Sequence, residues 1–211
     1  MTVTAFRTTL QQQTRRTAER VVAPLAKLGV TPNGLTAFGL LLNAVAGLLL
    51  AVGATIPGAL MVLFAGSFDM LDGALARVTN RKTAFGAFFD STIDRYSEAI
   101  VFLGLQIAFV RGAIASGGDW VSWAGVVLCF VVAVNSLLVS YTRARAEGLV
   151  PRVDAEVGWL QRPERIILLG VGLLLPYPAP VAVLVVLALF TLVTVVQRVL
   201  HVRHETAGRA G

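Results

Sequence analysis

Charge is scarce in this chain. Only 14% of its 211 residues are Asp, Glu, Lys or Arg, against 56% hydrophobic, whereas soluble domains carry about a quarter charged residues. That shortage, with a mean hydropathy of +0.75, argues against an ordinary soluble globule and for a membrane protein. Cysteine is nearly missing: Cys129 stands alone inside an apolar run, so no intramolecular disulfide can form and the redox compartment is left open. The segment before residue 34 lacks the apolar core and small-residue cleavage site of a secretory leader, although it holds five basic residues. Internal repeats, low-complexity stretches and a soluble domain are also missing.

What the chain has in abundance is long apolar runs. Crossing the hydrocarbon core takes about 20 apolar residues, and six candidates occur near 34–53, 57–76, 96–115 (with a polar extension from 84), 120–141, 164–178 and 179–198. The fifth and sixth meet at Pro176, Pro178 and Pro180, where a helix cannot continue and a turn is expected. Before them, Phe6, Leu10, Val21, Leu25 and Leu28 recur at roughly helical spacing, with Arg7, Arg15, Arg16 and Arg20 largely off that stripe. This pattern suits a helix lying in the membrane interface, kinked at Pro24. The expected fold is therefore all-α: six transmembrane helices and an N-terminal interfacial amphipathic helix. We expect a single membrane domain over 1–211, with 1–33 as the interfacial segment, 34–198 as the six-span catalytic bundle and 199–211 as a tail.

Lysine and arginine placement sets the expected orientation. Seventeen of the 18 basic residues fall before the first span, in the connections between spans two and three or four and five, or after span six; only Arg111 lies on the opposite side. That asymmetry assigns the basic face, both termini included, to the cytoplasm. Trp120 and Trp123 suit an outer aromatic belt. The formal charge of +6 thus reads as membrane topology, and no nucleic-acid partner is expected.

Against this background one polar cluster stands out. Four of the six aspartates lie in "DMLDGALARVTNRKTAFGAFFDSTID", residues 69–94. Asp69 and Asp72 are three apart and share a face near the cytoplasmic end of span two; Asp90 and Asp94 are four apart and share a face in the first turns of span three. A short connection near 78–83 folds the two helices antiparallel, so both pairs can converge. Gly73 and Gly86 lie one turn from Asp69 and Asp90 and leave room for a ligand. Four facing carboxylates either protonate in part or are held by a cation. All-oxygen donors suit a hard ion, Mg²⁺ or Mn²⁺, and four can hold two such ions, the clamp used in phosphoryl displacement. The competing reading pairs them with Arg77, Arg81, Lys82 and Arg95 as a charged rim, which leaves their helical repeat and interleaved glycines unexplained.

The pattern Asp69-x2-Asp72-Gly73-x2-Ala76-Arg77-x8-Gly86-x3-Asp90-x3-Asp94 resembles the signature of the CDP-alcohol phosphotransferase family at every fixed position. "TPNGLT", Thr31 to Thr36, resembles that family's segment before its first membrane helix, and the six-span topology agrees. The resemblance implies transfer of a phosphatidyl group from CDP-diacylglycerol to an alcohol, with release of CMP. It implies that Asp69, Asp72 and Asp90 ligate two divalent ions, and that Asp94 is the general base on the acceptor hydroxyl, also able to contact a metal. Asn33, Thr36, Gly73, Arg77, Thr83 and Gly86 carry over as contacts to the CDP-lipid, although Arg77 can instead brace the carboxylates. A homodimer is a further expectation.

For the acceptor, "SYTRARAEG" and "RPERII" put Arg143, Arg145, Arg162 and Arg165 near the cytoplasmic ends of spans four and five. Clustered arginines suit an acceptor that itself carries phosphate, although anchoring to anionic headgroups needs the same residues. These segments resemble the branch that makes phosphatidylinositol phosphate from inositol 1-phosphate, with Arg143 where that branch is expected to carry lysine. Phosphatidylglycerophosphate synthesis from glycerol 3-phosphate is the neighbouring alternative. An ion-coupled transporter is the alternative of another class, but it calls for polar groups near the midplane and inverted repeats, which this sequence does not show. Asn43, Gln106 and Asn135 lie in apolar runs and are read as interhelical hydrogen bonders; His201 and His204 fall in a basic helix end.

Overall fold

The computed structural model describes residues 18–149, 157–158 and 160–207. Among them are seven helices and no strand: α1 over 18–27, α2 Pro32–Ala51, α3 Thr55–Val78, α4 Ala84–Ala115, α5 Trp120–Leu149, α6 Arg162–Leu173 and α7 Ala179–Ala207. Five of these, α2, α3, α4, α5 and α7, are long and apolar enough to cross a membrane. The fifth expected span is different. α6 has 12 residues, which at 1.5 Å per residue is about 18 Å, short of a hydrocarbon core of about 30 Å. It stops at Leu173 because Pro176, Pro178 and Pro180 cannot supply amide donors to extend it.

The local sequence explains the helix ends that matter. Thr31 caps α2 by accepting from the Gly34 N–H at 3.1 Å, followed by Pro32 at the first helical position. Thr83 caps α4 in the same way, accepting from the Gly86 N–H at 2.9 Å. α3 ends in a Schellman turn: Asn80 takes the left-handed conformation (φ 53°), its N–H reaches Arg77 O at 3.2 Å, and the Arg81 N–H reaches Ala76 O at 3.0 Å. This compact reversal sets the start of α4 beside the end of α3.

Packing closes α2 to α7 into a ring. α2 lies on α3 and α4, α4 on α5, α5 on α7, α7 on α6, and α6 on α3. The core runs through all six, from Ala46 and Leu50 of α2 to Leu184 and Leu187 of α7. α2 and α4 cross tightly: a Cβ on Gly104 would stand 2.1 Å from the Gly47 carbonyl oxygen. Glycine alone permits that crossing. Large apolar side chains such as Leu48, Phe64, Leu103 and Phe130 face outward, while Thr36, Asn43, Asp72, Ser97, Asn135 and Thr191 are buried. That distribution suits a lipid-facing exterior and a polar seam inside. Gln106 and Asn135 bond across helices, to Val126 O and Ala188 O, each at 3.2 Å. Asn43 does not: its amide donates to Gly39 O of its own helix at 2.9 Å, because the i−4 carbonyl is the nearer acceptor.

Two boundaries shift. α1 turns Ala18 and Val22 into a small core with Leu35, Ala74 and Leu75, leaving Val21 exposed, as is Leu28 just beyond the helix; Phe6 and Leu10 of the expected stripe lie outside the described residues. α7 continues to Ala207 rather than ending near 198. Arg198, at the expected end of the last span, is buried and donates to Val157 O at 2.8 Å and to Val139 O.

Candidate active site

Four helices meet around the aspartates. The second half of α3 carries Asp69 and Asp72, the first turns of α4 carry Asp90 and Asp94, α2 brings Asn33 and Thr36, and α6 starts at Arg162. Asp72 is buried and accepts a 2.7 Å hydrogen bond from the Thr36 hydroxyl. Arg162 Nη1 lies 2.8 Å from Asp69 Oδ2 and 2.6 Å from Asp94 Oδ1. Arg95 is a second, looser neighbour of Asp94, at 3.9 Å. The two sequence pairs therefore form one carboxylate cluster at one end of the ring.

Beside it opens a cavity of about 250 Å³ lined by Asn33, Thr36, Asp72, Gly73, Arg77, Thr83, Gly86 and Asp90, with Arg81 and Lys82 at its rim. All six residues expected to contact the CDP-lipid line this cavity. Gly86 is hemmed by Thr83 Oγ1 and Asn33 Oδ1, at 3.0 and 3.3 Å from where a Cβ would stand. Gly73 leaves open space, with Arg77 its nearest neighbour at 3.6 Å. Arg77 pairs with Glu19 of α1 at 3.6 Å, so α1 braces this wall.

The four arginines expected at the acceptor do not form one group. Arg162 sits among the aspartates. Arg165 is buried and grips Glu98 with Nε and Nη2, at 2.9 and 3.1 Å. Arg143 pairs with Glu147 at 2.9 Å along its own helix. Arg145 lines a separate cavity of about 210 Å³ with Tyr141, Thr142 and Arg198. Two residues of this region escaped the sequence reading. Glu98 continues the four-residue spacing of Asp90 and Asp94 along α4, a signal that was present. Arg198 read as one more positive-inside residue, and only its burial sets it apart.

Among the described residues no three His, Cys, Asp or Glu side chains are gathered closely enough to hold an ion as they stand; the Arg162 guanidinium stands between Asp69 and Asp94 instead. The donor chemistry nevertheless fits hard divalent ions. Carboxylates from two helices face one another, and Asp69 Oδ2 is buried without a hydrogen bond, an oxygen with lone pairs to give.

The family model for CDP-alcohol phosphatidyltransferase matches residues 29–205. The chain belongs to that family. It is thus a membrane-embedded transferase of phospholipid biosynthesis, and the match spans all four of the aspartates gathered above. It is 36% identical over 200 residues to the phosphatidylinositol phosphate synthase of Mycobacteroides abscessus, covering 90% of this chain and 86% of that protein. It is 35% identical over 195 residues to the archaetidylinositol phosphate synthase of Methanothermobacter thermautotrophicus, covering 90% and 92%. Its fold is similar to the crystal structure of the Mycobacterium tuberculosis phosphatidylinositol phosphate synthase with CDP-DAG bound, with a TM-score of 0.76 and 32% identity over 89% of this chain and 94% of that one. The same mycobacterial enzyme has been solved in complex with manganese and citrate.

Proposed function

We propose that this family member transfers the phosphatidyl group of CDP-diacylglycerol to inositol 1-phosphate, giving phosphatidylinositol phosphate and CMP. The observation that carries this reading is the carboxylate cluster beside the cavity lined by Asn33, Thr36, Gly73, Arg77, Thr83 and Gly86, in a chain similar to phosphatidylinositol phosphate synthases. Asp69, Asp72, Asp90 and Asp94 are the residues to hold two divalent ions, Mg²⁺ or Mn²⁺, which when bound neutralise charge on the transferred phosphoryl and the departing CMP phosphate. Thr36 aims Asp72 through its 2.7 Å hydrogen bond. Asn33, Gly73, Arg77, Thr83 and Gly86 seat the CDP moiety. Asp94 takes the proton of the acceptor hydroxyl as its oxygen attacks phosphorus, and CMP leaves with the electron pair of the broken P–O bond. Arg162, beside the aspartates, serves the acceptor's phosphate, with Arg165 behind it as a residue whose direction Glu98 fixes.

The same reading includes six crossings of the cytoplasmic membrane, an interfacial N-terminal helix, a single domain, a homodimer, and both termini and the site on the cytoplasmic side. Arg162 meets the aspartates, and the Tyr177 hydroxyl donates to Asp119 Oδ2 at 2.7 Å in the α4–α5 connection. The chain from α6 to Tyr177 therefore runs from one end of the ring to the other, which supports a sixth crossing built on a short helix.

The test is CMP release from CDP-diacylglycerol by purified protein with Mg²⁺ or Mn²⁺, offered inositol 1-phosphate, glycerol 3-phosphate, serine or free inositol. Inositol 1-phosphate alone should support turnover, EDTA should abolish it, and Asp94→Asn should lower kcat at least ~100-fold, the lower bound for a general base. Turnover with glycerol 3-phosphate instead reassigns the acceptor. Turnover with only free inositol or serine removes the role given to the arginines.

A further inference from the structure

Arg162 and Arg165 lie one turn apart on α6 yet are held in opposite ways. Arg165 closes a two-point fork on Glu98. Arg162 instead offers one nitrogen, Nη1, to two carboxylates on two different helices. Its Nε is buried with no partner, and Asp69 Oδ2, 2.8 Å away, accepts no aligned hydrogen bond. Guanidinium–carboxylate pairs are strongest when the fork closes on one carboxylate. The Arg162 contact is held by charge, with its Nε–H unused.

We propose that Arg162 is a displaceable counter-ion: in the metal-free site its guanidinium substitutes for divalent cation charge between Asp69 and Asp94, and ion binding releases it to take the phosphate of the acceptor. The inference rests on the reading given under Proposed function. It follows from exclusion. Asp69 Oδ2 and Asp94 Oδ1 cannot each keep Nη1 at 2.8 and 2.6 Å while a divalent ion occupies the same space at about 2.0–2.2 Å from its oxygens. A freed guanidinium, at the first residue of α6 and buried on its Nε side, has unspent donors and a net charge to pair. A phosphate dianion beside the ions is the anion such a site calls for. Metal and acceptor therefore bind with positive coupling, and linkage requires the coupling to be the same in both directions.

The test measures Mn²⁺ binding to purified full-length protein by electron paramagnetic resonance, without CDP-diacylglycerol, so that no turnover enters the readout. In wild type, saturating inositol 1-phosphate should tighten Mn²⁺ binding at least ~5-fold, the lower end of ordinary coupling, and free inositol should not. In Arg162→Ala, Mn²⁺ should bind more tightly than in wild type and the response to inositol 1-phosphate should disappear. Arg162→Lys guards against a folding defect: its Mn²⁺ affinity should return towards that of wild type. A wild-type structure determined with Mn²⁺ should show Arg162 withdrawn from both Asp69 and Asp94. Wild-type Mn²⁺ affinity indifferent to inositol 1-phosphate, or Arg162 still bridging both carboxylates with Mn²⁺ bound, overturns the inference. CMP release in the presence of either result leaves the enzymatic reading standing; no Mn²⁺ binding and no CMP release removes both.

Discussion

Arg165 of α6 grips Glu98 of α4 through two nitrogens, at 2.9 and 3.1 Å, and is 3% exposed. The pair crosses the ring just behind the carboxylate cluster and fixes the start of α6 against α4. Removing one partner leaves a buried charge without compensation, at a cost of about 3–5 kcal/mol. Arg165→Ala and Glu98→Ala should each lower the thermal unfolding midpoint in detergent. The double variant should lose clearly less than the sum of the two, because the second change removes the charge stranded by the first. Additive losses would mean the pair contributes nothing as a pair.

Thr36→Val keeps the shape of the side chain and deletes the 2.7 Å hydrogen bond to Asp72. Under the proposed mechanism Asp72 is a metal ligand, and losing a partner that orients a ligand costs about 10–100-fold in metal affinity or activity. Mn²⁺ titration and CMP release should fall together in that range, with unfolding little changed. A variant with wild-type Mn²⁺ affinity and turnover would show that Asp72 needs no such guide.

Gly104→Ala should destabilise the bundle, since its Cβ would stand 2.1 Å from Gly47 O. Forcing α2 and α4 apart costs about 1–3 kcal/mol by overpacking, and it moves Thr36 relative to Asp90. Gly148→Ala, where nothing lies within 4 Å of the new Cβ, is the control; one residue from the end of α5, it should leave the midpoint close to that of wild type. Thermal unfolding of the two variants side by side tests the contrast.

Asp119 lies outside the spans, and hydrogen bonds from the Tyr177 hydroxyl, then from the Ser122 side chain and N–H, push its pKa from 3.8 to about 2. The folded value is below the unfolded one, so ionised Asp119 adds stability above about pH 4 that is lost as pH falls towards about 2. The difference in unfolding midpoint between wild type and Asp119→Asn should hold steady above about pH 5 and shrink through that acid window. A difference that persists unchanged at the acid end would show that the carboxylate charge is not what Tyr177 and Ser122 stabilise.

Much of this protein is written locally. Apolar run length gives the five long helices, and the spacing of Asp69, Asp72, Asp90 and Asp94 places each pair on one helix face. These features depend on residues within a turn or two of one another, and helical periodicity alone reads them. The same holds for the family, whose signature lies in one helix–turn–helix. What the tertiary structure decided is where the long side chains go. Spacing put Arg162 and Arg165 on one face and joined them to Arg143 and Arg145. In the folded chain Arg162 enters the carboxylate cluster, Arg165 is taken by Glu98 from 67 residues away, and Arg145 shares a cavity with Arg198. An arginine reaches far on a flexible stem, and its partner is set by helix rotation and ring order, which no local pattern encodes. The shortness of α6 has the same origin: prolines end the helix, but its place in the ring, from the aspartates to Tyr177 beside Asp119, depends on the helices around it.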